Sequence, residues 1–137
     1  MAGLTARGLD HIDLSVRDLD RSVRFYDAVL TALGFRRRAS SDATVIWQSP
    51  ELEIGIRVAE TAEPDQPYDR YRTGLHHLAF RAKSREDVDR FHRVLVDHNV
   101  AILDPPAAYP QYGPDYYAVF FADPDGMKLE FVFRTPK

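Results

Sequence analysis

The stretch "LHHLAFRAKSREDVDRFHRVLV", Leu75 to Val96, decides the fold, because the chain has already used its pattern once. An offset of 66 residues sets it against "LDHIDLSVRDLDRSVRFYDAVL", Leu9 to Leu30, without a gap. His11 then falls on His77, Ile12 on Leu78, Leu14 on Phe80, Arg24 on Arg90 and Phe25 on Phe91. Identities are few, yet the apolar pattern persists, which marks an internal repeat.

Each copy opens with a period-2 run, the pattern of a half-buried strand. Ile12, Leu14 and Val16 share one face, with His11, Asp13 and Ser15 opposite. In the second copy His77 and Ala79 lie opposite Leu78 and Phe80, so parity separates the adjacent pair His76 and His77. A helix start follows each run: Asp18 can cap the first, and Ser84 with Asp87 resembles a capping box. Val23, Tyr26, Leu30 and Leu33 then recur at helical spacing, as do Val88, Phe91, His92 and Leu95. Gly34 is a natural stop for the first helix.

Two hairpins complete the pattern. "ATVIWQ" (43–48) turns at Ser49-Pro50-Glu51 into "LEIGIRV" (52–58), and "YYAVFFA" (116–122) turns at "DPDG" (123–126) into "MKLEFVF" (127–133). Short segments near 35–39 and 100–103 supply a further strand each. The spacing predicts an α+β domain over 1–137: module one at 7–58, a polar linker at 59–74 and module two at 75–134, each a βαβββ unit. "DPPAAYPQYGPD" (104–115) reads as a loop rich in proline and tyrosine, a candidate lid.

The composition narrows the function classes. A net charge of -3 gives no reason to expect nucleic acid as a partner. The absence of cysteine excludes disulfides and thiolate chemistry and fits a reducing compartment. No apolar run approaches the roughly 18 residues of a membrane span. "MAGLTARGLDHIDL" carries no signal-peptide core, so the expectation is a cytoplasmic protein acting on a small molecule.

In the last strand Leu129, Phe131 and Phe133 form the apolar face, and Glu130 sits on the other between Lys128 and Val132. A carboxylate so placed is costly to bury without a cation. If both sheets curve around one cavity, His11, His77 and Glu130 point into it together. Two imidazoles and a carboxylate suit a divalent ion such as Fe, Mn, Ni, Co or Zn, with coordination positions left for substrate. His76, His92 and His98 are expected to pack or to meet solvent. Arg57 can face the cavity and bind a substrate carboxylate or phosphate. Trp47, Tyr112, Tyr116 and Tyr117 are candidates to stack on a ligand.

"LDHIDLSVRDLDRSVRFYDAVLTALGF", "HHLAF" and "DPDGMKLEFV" resemble the vicinal oxygen chelate superfamily, which holds glyoxalase I, bleomycin resistance proteins, extradiol dioxygenases, fosfomycin resistance enzymes and methylmalonyl-CoA epimerase. The resemblance covers residues 9–133. It implies a half-open barrel of two βαβββ modules around a metal, with His11, His77 and Glu130 as ligands and a substrate chelating through vicinal oxygens. Many members add a fourth ligand on the last strand of module one. Aligning the hairpins sets Gly55 opposite Glu130, so that place offers no side chain, and Glu53 lies one pleat away. This departs from glyoxalase I and the epimerase and agrees with the three-ligand members. The resemblance implies a metal-dependent lyase, isomerase or dioxygenase, commonly a homodimer. The alternative is a metal-free protein that sequesters an antibiotic or another small molecule in an aromatic groove. No residue stands out as the general base.

Overall fold

The computed structural model describes residues 3–60 and 66–136. Part of the expected linker, 61–65, lies outside them. The chain divides into two compact units, Met1–Pro64 and Asp65–Lys137.

The first unit runs β1 (His11–Val16), α1 (Leu19–Ala32), β2 (Arg36–Ser40), β3 (Thr44–Gln48) and β4 (Glu53–Val58). Its open sheet has the order β1-β4-β3-β2, with β1 parallel to β4 and the other pairs antiparallel. The Asp18 carboxylate accepts from the Arg21 amide and starts α1, as expected of an N-cap. Leu33 is the C-cap of α1, and Gly34 after it takes a left-handed φ of 89°, which only glycine adopts cheaply. Phe25, Tyr26, Val29 and Leu30 bury one stripe of α1, while Val16, Val45, Trp47, Ile54 and Ile56 are buried in or beside the strands. Full burial of each such side chain contributes about 1.5–3 kcal/mol. The outer strand β2 is exposed along its whole length and carries Arg36, Arg37 and Arg38 in succession.

The second unit repeats the order: β5 (Leu78–Arg81), α2 (Arg85–Asp97), β6 (Ala101–Ala108), β7 (Tyr117–Ala122) and β8 (Lys128–Phe133), with the sheet arranged β5-β8-β7-β6. Ser84 caps α2 by accepting from the Asp87 amide, and Asn99 follows the helix in the left-handed region. Phe91 packs edge-on against Phe121 and Phe131, with ring centroids 5.5 and 4.9 Å away. The opposite face holds a second apolar cluster of Ala118, Phe120 and Val132 under Tyr109 and Tyr116. At the β7–β8 turn the buried Asp123 accepts from the amides of Asp125 and Met127, and Gly126 has a φ of 86°.

Residues 66–74 of the expected linker are tied down locally: the Tyr68 amide donates to Asp125 O at 2.8 Å, and the Tyr68 hydroxyl donates to Leu75 O. One segment differs from the sequence expectation. The proline-rich stretch read as loop from 104 is strand as far as Ala108. Prolines are tolerated there because β6 is an outer strand, and the register slips between Ile102 and Asp104 and again between Asp104 and Ala107.

Candidate metal centre

The second unit brings two of the expected ligands together. Glu130 sits mid-strand in β8, opposite Ala79 of β5 on one side and Phe120 of β7 on the other. Its side chain is 1% exposed, and its Oε1 lies 3.1 Å from His77 Nε2. Its other oxygen accepts from the Tyr116 hydroxyl. Both carboxylate oxygens are therefore partnered, which offsets the penalty of burying them. Burial, and then the Tyr116–Glu130 hydrogen bond itself, push the Tyr116 phenol above its ordinary value, so it stays a donor.

His77 has a choice of proton. Its Nδ1 lies 2.8 Å from His76 Nδ1, so one of these two nitrogens donates to the other. With its proton on Nε2, His77 donates to Glu130. With its proton on Nδ1, it donates to His76, and Nε2 and Glu130 Oε1 both present lone pairs to one space. Neighbouring ligands about 2.1 Å from a single ion stand about 3 Å apart in octahedral geometry. The 3.1 Å separation matches that edge. The donor pair thus fits a divalent cation, with His76 able to orient His77 from behind as an outer partner does. Burial and the adjacent His77 lower the proton affinity of His76.

In the first unit His11 projects from β1 as an exposed imidazole, with Nδ1 2.8 Å from Asp10 Oδ2. That bond raises the His11 pKa and leaves Nε2 as the free nitrogen. The position opposite Gly55 in the β1–β4 register is Asp13. Arg57 donates toward Asp13 Oδ2 at 3.4 Å, and Glu53 pairs with Arg38 at 3.3 Å. Within either unit, the described residues gather no three histidine, aspartate or glutamate side chains as a ready-made cation site.

Two residues expected at a ligand are placed elsewhere. Trp47 is 0% exposed on the face toward α1, where its indole N–H donates to Asp27 Oδ1 at 2.8 Å. It packs the core. Tyr117 donates its hydroxyl to Asp89 of α2 at 2.7 Å, on the helix side of its sheet. Tyr112 is 57% exposed and stacks on Tyr109 at 5.8 Å, while Tyr109 meets Phe120 edge-on at 5.4 Å. Phe120 in turn stands 6.4 Å from the His77 ring. An aromatic wall therefore adjoins His77 and Glu130, built by Tyr109, Tyr116 and Phe120. Asp10 and the tie from Tyr116 to Glu130 are not legible in the sequence beyond an aspartate standing directly before a histidine.

Comparison with known proteins agrees with this architecture. Residues 8–131 match the Glyoxalase/Bleomycin resistance protein/Dioxygenase superfamily, and the chain belongs to that family. The uncharacterized protein YqjT of Bacillus subtilis is 33% identical over 124 residues, covering 90% of this chain and 97% of YqjT. The metallothiol transferase FosB of Lysinibacillus sphaericus is 29% identical, covering 93% of this chain and 83% of FosB. Among solved structures, a glyoxalase/bleomycin resistance protein from Albidiferax ferrireducens superposes with a TM-score of 0.74 at 27% identity, covering 92% of this chain and 98% of that one. No helix among the described residues is long and apolar enough to cross a membrane.

Proposed function

We propose that the chain is a divalent-metal-dependent enzyme with His77 and Glu130 as the ligand pair seen together and His11 as the third expected ligand. The observation that carries this reading is the buried Glu130 carboxylate facing an imidazole nitrogen at the spacing of two neighbouring ligands. Tyr116 fixes the carboxylate from one side, and His76 sets the proton position of His77 from the other. A bound ion supplies Lewis-acid polarisation of adjacent substrate oxygens. Tyr109, Tyr116 and Phe120 form an aromatic wall beside His77 and Glu130. The likeness to a metallothiol transferase supports addition of a thiol to a small electrophile as the first reaction to screen, ahead of glyoxalase-type and dioxygenase chemistry. Membership of this family supports a small-molecule substrate; a homodimer in the cytoplasm completes the proposed reading.

Metal analysis of the purified wild type beside His77→Ala tests this. The expected result is one transition ion per chain in the wild type and none in the variant. A wild type that takes up no such ion at micromolar concentration removes the proposal and leaves the small-molecule-sequestering alternative.

A further inference from the structure

We infer that the small molecule taken at His77 and Glu130 is an anion, carrying a carboxylate or a phosphorus oxyanion beside its chelating oxygen, and that Lys128 is the cation that receives it. This rests on the metal-dependent reading above.

The second unit surrounds those two side chains with cations, each seated on an aromatic ring that itself touches the site. Lys128 Nζ stands 4.4 Å from the centre of the Phe120 ring, which is 6.4 Å from the His77 ring. The Arg134 guanidinium lies 5.4 Å over Tyr116, whose hydroxyl donates to Glu130. The Arg70 guanidinium lies 4.9 Å over Tyr71, and Tyr71 meets His76, the neighbour of His77, edge-on at 5.7 Å. An aromatic face attracts a cation but does not neutralise it.

Among the described residues, none of the three is paired with a carboxylate. Half-buried Lys128 shares a strand face with Glu130, two residues away, yet its ammonium goes to Phe120. The oxygens of Glu130 are already taken by His77 and Tyr116. Asp69 pairs with Arg72, and Asp115 accepts from the Thr135 amide, so neither offsets the three cations. Arg70 Nε is enclosed and finds no acceptor, which is uncommon for a buried donor.

A divalent ion adds to this excess of positive charge. Glu130 offsets one of its charges, and neutral imidazoles offset none. An ammonium beside such an ion is repelled unless a negative group lies between them. An anionic ligand is that group, and a site lined by one sign of charge also raises the local concentration of the opposite sign. Lys128 stands about 7 Å from Glu130 along the strand. Its N–H donors meet only a ring face, which leaves them for charge-assisted bonds to an oxyanion.

The test is calorimetric titration of the Mn2+-loaded full chain with glycolate, hydroxymethylphosphonate and the neutral glycolamide. Lys128→Met removes the charge and keeps the length, and Lys128→Arg keeps the charge. The inference expects Lys128→Met to weaken one or both anions about 10-fold, with most of the loss restored in Lys128→Arg. Affinities for glycolamide and Mn2+ should stay within about 2-fold of wild type. The anion that loses more identifies the headgroup. A carboxylate prefers the ion on its own account, so the variant decides and not the preference of the wild type. Unchanged anion affinity in Lys128→Met, an equal loss for glycolamide, or no binding of either anion at millimolar concentration overturns the inference and leaves the metal site standing. A wild type that takes up no Mn2+ removes both.

Discussion

Asp27 offers the sharpest test of how α1 is fastened to the sheet that carries His11. Its Oδ1 accepts from Trp47 Nε1 at 2.8 Å and from Arg37 Nε at 3.2 Å, and its Oδ2 accepts a second bond from Arg37. Trp47 is fully enclosed. Asp27→Ala therefore strands a buried indole N–H, which costs about 1–3 kcal/mol. The half-exposed Arg37 pair adds about 0.2–1 kcal/mol. The expected loss is about 2–3 kcal/mol, or a fall in Tm on the order of 10 °C for a chain of this size. Arg37→Ala removes only the exposed pair and the guanidinium 5.8 Å above the Trp47 ring, so it should cost about 1 kcal/mol. Trp47→Phe deletes the indole N–H and should shrink the further cost of Asp27→Ala to below about 1 kcal/mol. Urea unfolding of the wild type, the three single variants and the Asp27→Ala/Trp47→Phe double variant gives the coupling energy directly. If Asp27→Ala costs no more than Arg37→Ala, or if the coupling is zero, the buried indole bond is not what fastens the helix.

Two further predictions concern the second unit. In Glu130→Gln the metal-induced rise in stability should vanish, where the wild type at 100 times its Kd should gain about 2.7 kcal/mol; thermal melts with and without Mn2+ measure this, and an undiminished rise would remove Glu130 from the ligand set. Tyr117 has its pKa raised by its hydrogen bond to Asp89 and by burial, so that bond contributes fully below about pH 10 and is lost as pH climbs through the raised value; Tyr117→Phe should lose less stability than the wild type between neutral and strongly alkaline pH, and parallel declines would refute it.

Much of the fold was legible because the repeat exposes the same strand–helix pattern twice. Parity is legible in β1 and β5 because Ile12, Leu14 and Val16, then Leu78 and Phe80, alternate with more exposed residues. It offers nothing at Trp47 and Tyr117, because "TVIWQ" and "YAVFFA" are apolar almost throughout and no alternation shows which side faces the helix. Pro105 and Pro106 put 104–115 on the side of a loop, since a sequence does not reveal that β6 lies outermost and tolerates them. The pairing of Asp13 with Arg57 was illegible for a different reason: it depends on which residues stand opposite one another across β1 and β4.

The outermost strands carry a consequence for solubility. A bare strand edge is a template on which another chain can add, and that is how aggregates grow. β2 meets solvent with three consecutive arginines, so an incoming strand would have to desolvate like charges. β6 answers the same hazard differently, with two prolines that lack the N–H an added strand needs and a register that slips on either side of Asp104. The two repeats share a pattern and a topology, yet each discourages fibre growth at its outer rim by a separate chemical device.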